Sequence, residues 1–250
     1  MMKTYTLECC VDSVESAIEA EAGGATRLEL CQCLPVGGLT PTPALYRAVR
    51  SAVSLPVRVL LRPRAGDFLY TEAEFQILLA EARAFRELGA DGIVIGCLTA
   101  QGMLDIPRMT ALMRAAEGLP ATLSRAFDVC ADPLPALCAA QELGIGTILT
   151  SGCAADAASG IDMLCTLSQW AQDIEVMAGA GVDARVIEQL LARTSITSFH
   201  MSGKRRITSG MINQNPGVPM GLPGLGEDVY RTDREAVRAA RAALDAWRER

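Results

Sequence analysis

Carboxylate and thiol side chains recur together near the amino terminus. Glu8 stands two residues before Cys10, and Glu29 stands two residues before Cys31. Thiolates are soft ligands that select Cu(I), whereas paired carboxylates in different environments can serve as acid and base. These residue types therefore point to two kinds of chemistry, metal binding by sulfur and acid–base catalysis, and the sequence leaves both open.

Two guanidinium groups follow at Arg62 and Arg64. Unpaired charges inside a protein are costly, so we expect these arginines to meet the carboxylates of Glu8 and Glu29 in one balanced set. Such a set can clamp a small anionic or phosphorylated compound. It can equally be a self-neutralising structural network, and the sequence does not decide between the two.

The elements that must position these groups alternate regularly. Eight short apolar runs alternate with eight helical patterns, which over 250 residues favours one α/β domain, a (β/α)₈ TIM-type barrel spanning residues 1–250. An open dinucleotide-binding sheet is disfavoured because no G-x-G-x-x-G follows the first run. The predicted strands are Tyr5–Val11, Arg27–Gln32, Val57–Arg62, Gly92–Leu98, Ala121–Phe127, Thr147–Ser151, Glu175–Ala178 and Ser198–Met201. The predicted helices are approximately Ser13–Gly23, Pro43–Val53, Glu72–Leu88, Pro107–Ala116, Pro133–Leu143, Asp156–Ala171, Ala184–Arg193 and Thr232–Arg248.

Strand alternation selects the side chains that face the barrel interior, because successive residues of a strand point to opposite sides. In the first two predicted strands this parity turns Glu8, Cys10, Glu29 and Cys31 inward, and Cys33 continues the same side just past its strand. In the later strands the same parity turns four more side chains inward, those of Ser124, Asp128, His200 and Ser202. Arg125 is out of phase and reaches the barrel mouth only if its strand ends early. The groups that could hold an anion there are Arg125, Ser202 and the strand-end residues Ser151, Gly179 and Gly181.

Composition narrows the possible partners. The net charge is −6 and the pI is near 5.0, with no basic run longer than Lys204-Arg205-Arg206, so we expect no nucleic-acid partner. No apolar stretch long enough for a membrane span is present, and the amino terminus predicts a strand rather than a secretory signal, so we expect a cytoplasmic protein. Nine cysteines and one histidine argue against both a disulfide scaffold and a zinc finger.

One segment interrupts the regular alternation. Residues 204–228 are rich in Gly, Pro and Asn, and we expect a long loop between the eighth strand and the last helix. A loop at this place emerges at the end of the barrel where active sites form. Either a cover over that mouth or a surface loop fits the composition.

Several segments together resemble the CutC family, which is named for copper homeostasis. They are Leu-Glu-Cys-Cys-Val-Asp-Ser-Val-Glu-Ser-Ala (7–17), Arg-Leu-Glu-Leu-Cys (27–31), Gly-Gly-Leu-Thr-Pro (37–41), Arg-Pro-Arg-Ala-Gly-Asp-Phe-Leu-Tyr (62–70), Arg-Ala-Phe-Asp (125–128), Leu-Thr-Ser-Gly (149–152) and Met-Ala-Gly-Ala-Gly-Val (177–182). The resemblance implies a TIM-type barrel, a cytoplasmic location and a homodimer or larger assembly. It also implies Cu(I) binding by Cys10 and Cys31. The position of Cys33, on the same side just past its strand, makes it a candidate third sulfur.

The chain departs from the family pattern at Ser124, where similar members carry histidine before Arg-Ala-Phe-Asp. Two functional hypotheses remain. One is a copper-handling protein that uses the thiols of Cys10 and Cys31. The other is an enzyme that acts on a small anion, with Glu8, Glu29 or Asp128 as acid or base. A purely structural barrel ranks below both, because inward charges are a poor source of stability.

Overall fold

The computed structural model describes residues 4–213, 215, 218 and 229–248. Eight parallel strands close into a barrel in sequence order, with β1 pairing both β2 and β8. The expected (β/α)₈ architecture is thereby confirmed. The strands are β1 Thr6–Val11, β2 Arg27–Leu30, β3 Val57–Leu60, β4 Gly92–Ile95, β5 Ala121–Leu123, β6 Thr147–Thr150, β7 Glu175–Ala178 and β8 Ser198–Met201.

Helices surround this barrel and begin at side-chain caps that the sequence supplies. Ser13 accepts a hydrogen bond from the Ser16 amide at the start of the first helix, and Asp132 accepts one from the Leu134 amide ahead of the fifth. Such caps satisfy amides that the helix itself cannot. The helices are α1 Val14–Gly23, α2 Pro43–Ala52, α3 Glu72–Glu87, α4 Ile106–Ala115, α5 Pro133–Glu142, α6 Ile161–Trp170, α7 Ala184–Arg193 and α8 Arg234–Arg248.

The strands divide their side chains between two environments. Leu7 and Cys9 of β1 and the two leucines of β2 are fully buried in the main apolar core between strands and helices. Cys31, Leu60 and Val94 form a separate apolar cluster inside the barrel. The predicted parity of the first strands is thus confirmed, and it sends their acidic and thiol groups to the interior.

Several element boundaries differ from the sequence expectation, and the second, third and fourth strands end two or three residues early. The fifth strand ends at Leu123, because the Ser124 hydroxyl accepts a hydrogen bond from the Ala126 amide and starts a 3-10 helix over Arg125–Val129. The sixth helix begins at Ile161, five residues later than expected. The last helix begins at Arg234 rather than Thr232, since Thr232 ends a short strand.

The segment after β8 also differs from the expected loop. Lys204–Ile207 forms strand β9, which pairs antiparallel with β10, Val229–Thr232. The expectation of a loop is therefore wrong for residues 204–207, and most of its later part lies outside the described residues. In the part of the chain that the structure describes, no helix combines the length and apolar character needed to cross a bilayer.

Candidate functional site

A cavity of about 430 Å³ opens at the end of the barrel where the strands finish. Its wall includes the inward-facing Cys10, Glu29 and His200, together with groups from the loops that follow the strands. Active sites of this fold form at the same end, because eight strand-to-helix loops converge there. The candidate site therefore combines a floor built by the strands with a mouth built by the loops.

A charged network centred on Glu8 lies beneath the floor. Glu8 is fully buried, accepts a hydrogen bond from Arg27 Nε, and lies with Oε1 2.9 Å from His200 Nδ1. Burial alone would raise the pKa of Glu8, but the hydrogen bond from His200 and the charge of Arg27 lower it to about 2. Burial likewise opposes the charged form of His200, yet its pKa lies well above the ordinary value because of Cys10, Glu29 and Glu8.

Glu29 has no comparable partner. Only 5% of the residue is exposed, and its Oε2 accepts no hydrogen bond within the described structure. Burial raises the pKa of this carboxyl to about 7; the nearby positive groups oppose the rise and the charge of Glu8 adds to it. Two carboxyl groups on neighbouring strands thus hold very different affinities for a proton.

Of the two predicted metal-binding thiols, Cys10 lies on β1 in the cavity wall, and Cys31 directly follows the neighbouring strand β2, behind that wall. Cys10 lines the cavity, whereas Cys31 is fully buried, and its Sγ is 3.7 Å from the carbonyl oxygen of Val11. Burial raises the pKa of the Cys31 thiol well above its usual range, and the charges of Cys10 and Glu29 add to that effect. Cys33 lies exposed at the surface and is not among the cavity-lining groups of the described chain.

The predicted meeting of two arginines with two glutamates is wrong. Arg62 lines the cavity, but its Nη atoms donate to the carbonyl oxygens of Val36, Gly38 and Gly66 at 2.7–3.2 Å. Most of the hydrogen-bond donors of Arg62 are therefore used to hold the neighbouring loops together. Arg64 is not among the residues that line the described cavity, and it forms ion pairs with Glu74 and Asp67, at 2.7 and 2.9 Å.

At the mouth, Arg125 and Asp128 form an ion pair of 2.7 Å. Arg125 reaches the cavity because β5 ends early, which is the condition that strand parity set for it. Asp128 also lines the cavity, but it accepts hydrogen bonds from the Thr150 hydroxyl and from the backbone amides of Ser151 and Cys153. These bonds fasten the loop after β5 to the end of β6, and they occupy the carboxylate that was a candidate base.

The remaining anion-site candidates divide between cavity and interior. Gly181 and Ser202 line the cavity. Ser151 is fully buried, with its hydroxyl donating to the Ala154 carbonyl oxygen at 2.6 Å, and it takes no part in the described lining. Gly179 is also not among the lining residues of the described cavity. It packs against Leu149, and a β-carbon at Gly179 would lie 2.5 Å from Leu149 Cδ1.

Comparison with known proteins identifies the family. The CutC family model matches residues 5–205. The chain belongs to the CutC family. A CutC family protein of Parabacteroides distasonis is 43% identical over 93% of this chain and 98% of its own length. The human copper homeostasis protein cutC homolog is 42% identical over 87% of this chain and 80% of the human protein.

Solved structures agree with this assignment. CutC from Streptococcus agalactiae superposes with a TM-score of 0.75 at 27% identity, covering 80% of this chain and 99% of that one. Thiamine phosphate pyrophosphorylase from Pyrococcus furiosus superposes with a TM-score of 0.56 at 16% identity, covering 97% and 96% of the two chains. The second likeness shows the barrel fold alone.

Three charged groups of this CutC site were missed from the sequence. Arg27 and Arg58 share the inward parity of Glu29 and Leu60 on β2 and β3, so strand alternation could have found both. Arg58 Nη1 donates to the hydroxyls of Thr122 and Thr147 deeper in the barrel. Lys204 lines the cavity from the start of β9, and no sequence pattern distinguished it from its basic neighbours.

Proposed function

We propose that this CutC chain serves copper homeostasis by binding one Cu(I) ion through Cys10 and Cys31. The observation that carries the proposal is the placement of Cys10 on β1, in the cavity wall, and of Cys31 directly after the neighbouring strand β2, in the apolar cluster inside the barrel. Soft thiolates select Cu(I), and a human relative bears the name copper homeostasis protein. Cu(I) would enter through the cavity and displace the thiol protons on binding.

A competition titration tests this proposal. Reduced protein is titrated with Cu(I) against a chromogenic Cu(I) chelator, and we expect about one tightly bound ion per chain in the parent. The double variant Cys10→Ser/Cys31→Ser should lose that binding, whereas Cys138→Ser/Cys153→Ser, which removes two exposed thiols, should retain it. Equal Cu(I) affinity in the parent and the first double variant would refute the thiolate site.

The same proposal implies a location and an assembly. Thiolate ligands must stay reduced, which suits the cytoplasm, where disulfides are rare. Nine free cysteines are compatible with that compartment. We further propose a homodimer or larger assembly, as the family resemblance implies, and light scattering should then give at least twice the chain mass of 26.5 kDa. A mass equal to one chain would exclude the assembly.

A second candidate function is an enzyme that acts on a small anionic compound. It is favoured by one observation: Arg125, Lys204 and Ser202 line the mouth of the same cavity that has Glu29 on its floor. Cations and a hydroxyl at the mouth suit a phosphate or carboxylate, and a buried carboxyl on the floor suits proton transfer. In this arrangement the charged end of the compound stays at the mouth and its reacting carbon reaches Glu29.

Inorganic phosphate is the simplest probe of the second candidate. We expect phosphate to raise the melting temperature of the parent and to raise that of Arg125→Gln much less. Arg238→Gln is the matched control, because Arg238 pairs with Glu235 on α8, away from the cavity. If phosphate leaves the parent unchanged, or stabilises Arg125→Gln equally, the anion site is not at this mouth.

A further inference from the structure

The strands β1, β2 and β8 bring three metal-capable side chains together at the cavity floor. Glu8 of β1 lies opposite His200 of β8 in the strand register. Glu29 lies on β2, the strand that pairs with the other edge of β1. One donor atom from each of Glu8, Glu29 and His200 lies within 4.8 Å of the other two, and all three residues are buried. Surface carboxylates often cluster without a ligand, but a buried cluster costs desolvation energy that something must offset.

The carboxyl of Glu29 supplies an independent sign of a ligand site. Glu8 is satisfied by Arg27 and His200, whereas Oε2 of Glu29 has no hydrogen-bond partner among the described residues and the residue is only 5% exposed. Buried polar atoms are almost always paired, so an unpaired carboxyl oxygen that borders a cavity marks a place for a donor or a cation.

The spacing of these groups is close to that of ligands around a metal ion. Ligands at about 2.1 Å from an octahedral cation are separated by roughly 3.0 Å when adjacent and roughly 4.2 Å when opposite. The 2.9 Å between His200 Nδ1 and Glu8 Oε1 is close to the adjacent spacing. A donor atom of Glu29 lies within 4.8 Å of a donor atom of each of the other two residues, so a small side-chain shift brings it into the same coordination shell. Because Arg27 binds the other oxygen of Glu8, that contact can persist when a cation replaces the proton between Glu8 and His200.

We propose that Glu8, Glu29 and His200 hold one divalent first-row cation of the Mn²⁺ or Zn²⁺ type at the floor of the cavity. Two carboxylates and one imidazole are harder donors than the thiols of Cys10 and Cys31, so this site differs in chemistry from the proposed Cu(I) site. Glu29 and His200 line the cavity, which leaves coordination positions open to water or to a bound anion. The inference is independent of Cu(I) binding.

Mn²⁺ is the sharpest probe, because cysteine thiols compete poorly for it. The electron paramagnetic resonance signal of free aqueous Mn²⁺ is followed while protein is added. We expect about one bound Mn²⁺ per parent chain, and at least roughly tenfold weaker binding by Glu29→Gln. Glu29→Gln preserves shape and removes a charge that burial disfavours, so it should fold, as circular dichroism will verify.

Two controls separate this site from others. Glu81→Gln alters a partly buried glutamate on α3 and should bind Mn²⁺ like the parent. Cys10→Ser/Cys31→Ser should lose Cu(I) but keep Mn²⁺, so failure of one proposal leaves the other measurable. His200→Gln provides a second ligand variant and should also weaken binding. A parent that binds no Mn²⁺, or a Glu29→Gln protein that binds it with parental affinity, would overturn the proposal.

Discussion

At the scale of single residues, the buried charge of Glu8 depends on its partners. Glu8 is fully buried and its carboxylate is held by Arg27 and His200. Taking away one partner of a buried ion pair leaves a charge that neither water nor protein compensates. The network is therefore more sensitive to loss of a partner than an exposed ion pair would be.

Replacing Arg27 by Met should destabilise the protein by about 3–5 kcal/mol, because Glu8 then loses its guanidinium partner inside the barrel. Urea unfolding followed by circular dichroism measures the change in the free energy of unfolding. Arg238→Met is the matched control, since Arg238 and Glu235 pair on the exposed face of α8. The control should change stability by no more than about 0.5 kcal/mol. Similar losses in both variants would contradict this account.

Glu81 provides a pH-dependent test away from the cavity. Burial raises the pKa of this carboxyl, although the Thr40 hydroxyl donates a hydrogen bond to it and opposes the rise. A raised pKa means that the folded state binds the proton more tightly than the unfolded state. The stability associated with the protonated group is complete below the unfolded pKa and is lost as pH rises through the folded pKa.

Glu81→Gln should therefore be more stable than the parent at neutral pH, and this advantage should shrink below the ordinary glutamate pKa of 4.5. Urea midpoints of both proteins at the two pH values provide the measurement. The glutamine amide oxygen can still accept the Thr40 hydrogen bond. An advantage that grows on acidification would mean that the direction assigned to the Glu81 pKa is wrong.

Residue identity and strand parity predicted which side chains face inward, but not their partners. Parity correctly sent Glu8, Cys10 and Glu29 to the interior. The guanidinium partner of Glu8 is Arg27, which has the same parity as Glu29 and is the first residue of β2. Arg62 and Arg64 follow β3 rather than lie within it, so loop geometry sets their directions, and alternation carries no information there.

At the scale of elements, the boundary after β5 shapes the mouth. The 3-10 helix over Arg125–Val129 is capped by Ser124 and packs close to the end of β4. This arrangement requires a residue without a side chain at Gly96. A β-carbon there would lie 2.5 Å from Ser124 Oγ and 2.6 Å from Ala126 Cβ, and both distances are shorter than β-carbons show in real proteins.

Gly96→Ala should consequently cost about 1–3 kcal/mol, because β4 and the 3-10 helix must separate to admit one methyl group. Gly146→Ala is the matched control: its β-carbon would meet only the Ala121 carbonyl oxygen, at 3.9 Å. Thermal unfolding should show a lower midpoint for the first variant and a nearly unchanged one for the second. Equal midpoints would show that the two elements adapt without cost.

Hydrophobic periodicity located every barrel strand, since each strand is a short apolar run between helical patterns. It failed where a local side-chain hydrogen bond ended an element. The Ser124 hydroxyl competes with strand pairing at β5, and the apolar residues Ala126 and Phe127 that follow conceal this stop. The β9–β10 pair was also missed, because its two strands are far apart in sequence and rich in charged residues.

At the scale of the whole molecule, closure of the barrel brings distant parts of the sequence into one site. His200 of β8 meets Glu8 of β1 only because the eighth strand pairs with the first. Sequence alone predicted that closure from eight repeats of one unit, and with it the end of the barrel where the cavity forms. A ligand that bridges neighbouring strands at this end binds the folded barrel and not the unfolded chain.

Cu(I) binding at Cys10 and Cys31 should therefore stabilise the entire fold. A ligand present at 100 times its dissociation constant adds about 2.7 kcal/mol to the free energy of unfolding. For a chain of this size each kcal/mol raises the melting temperature by roughly 2–4 °C, so Cu(I) should raise it by about 5–10 °C. Differential scanning fluorimetry of reduced protein gives the shift. Cys10→Ser/Cys31→Ser should show none, and Cys138→Ser/Cys153→Ser should show the full shift; a shift that persists without Cys10 and Cys31 would place Cu(I) elsewhere.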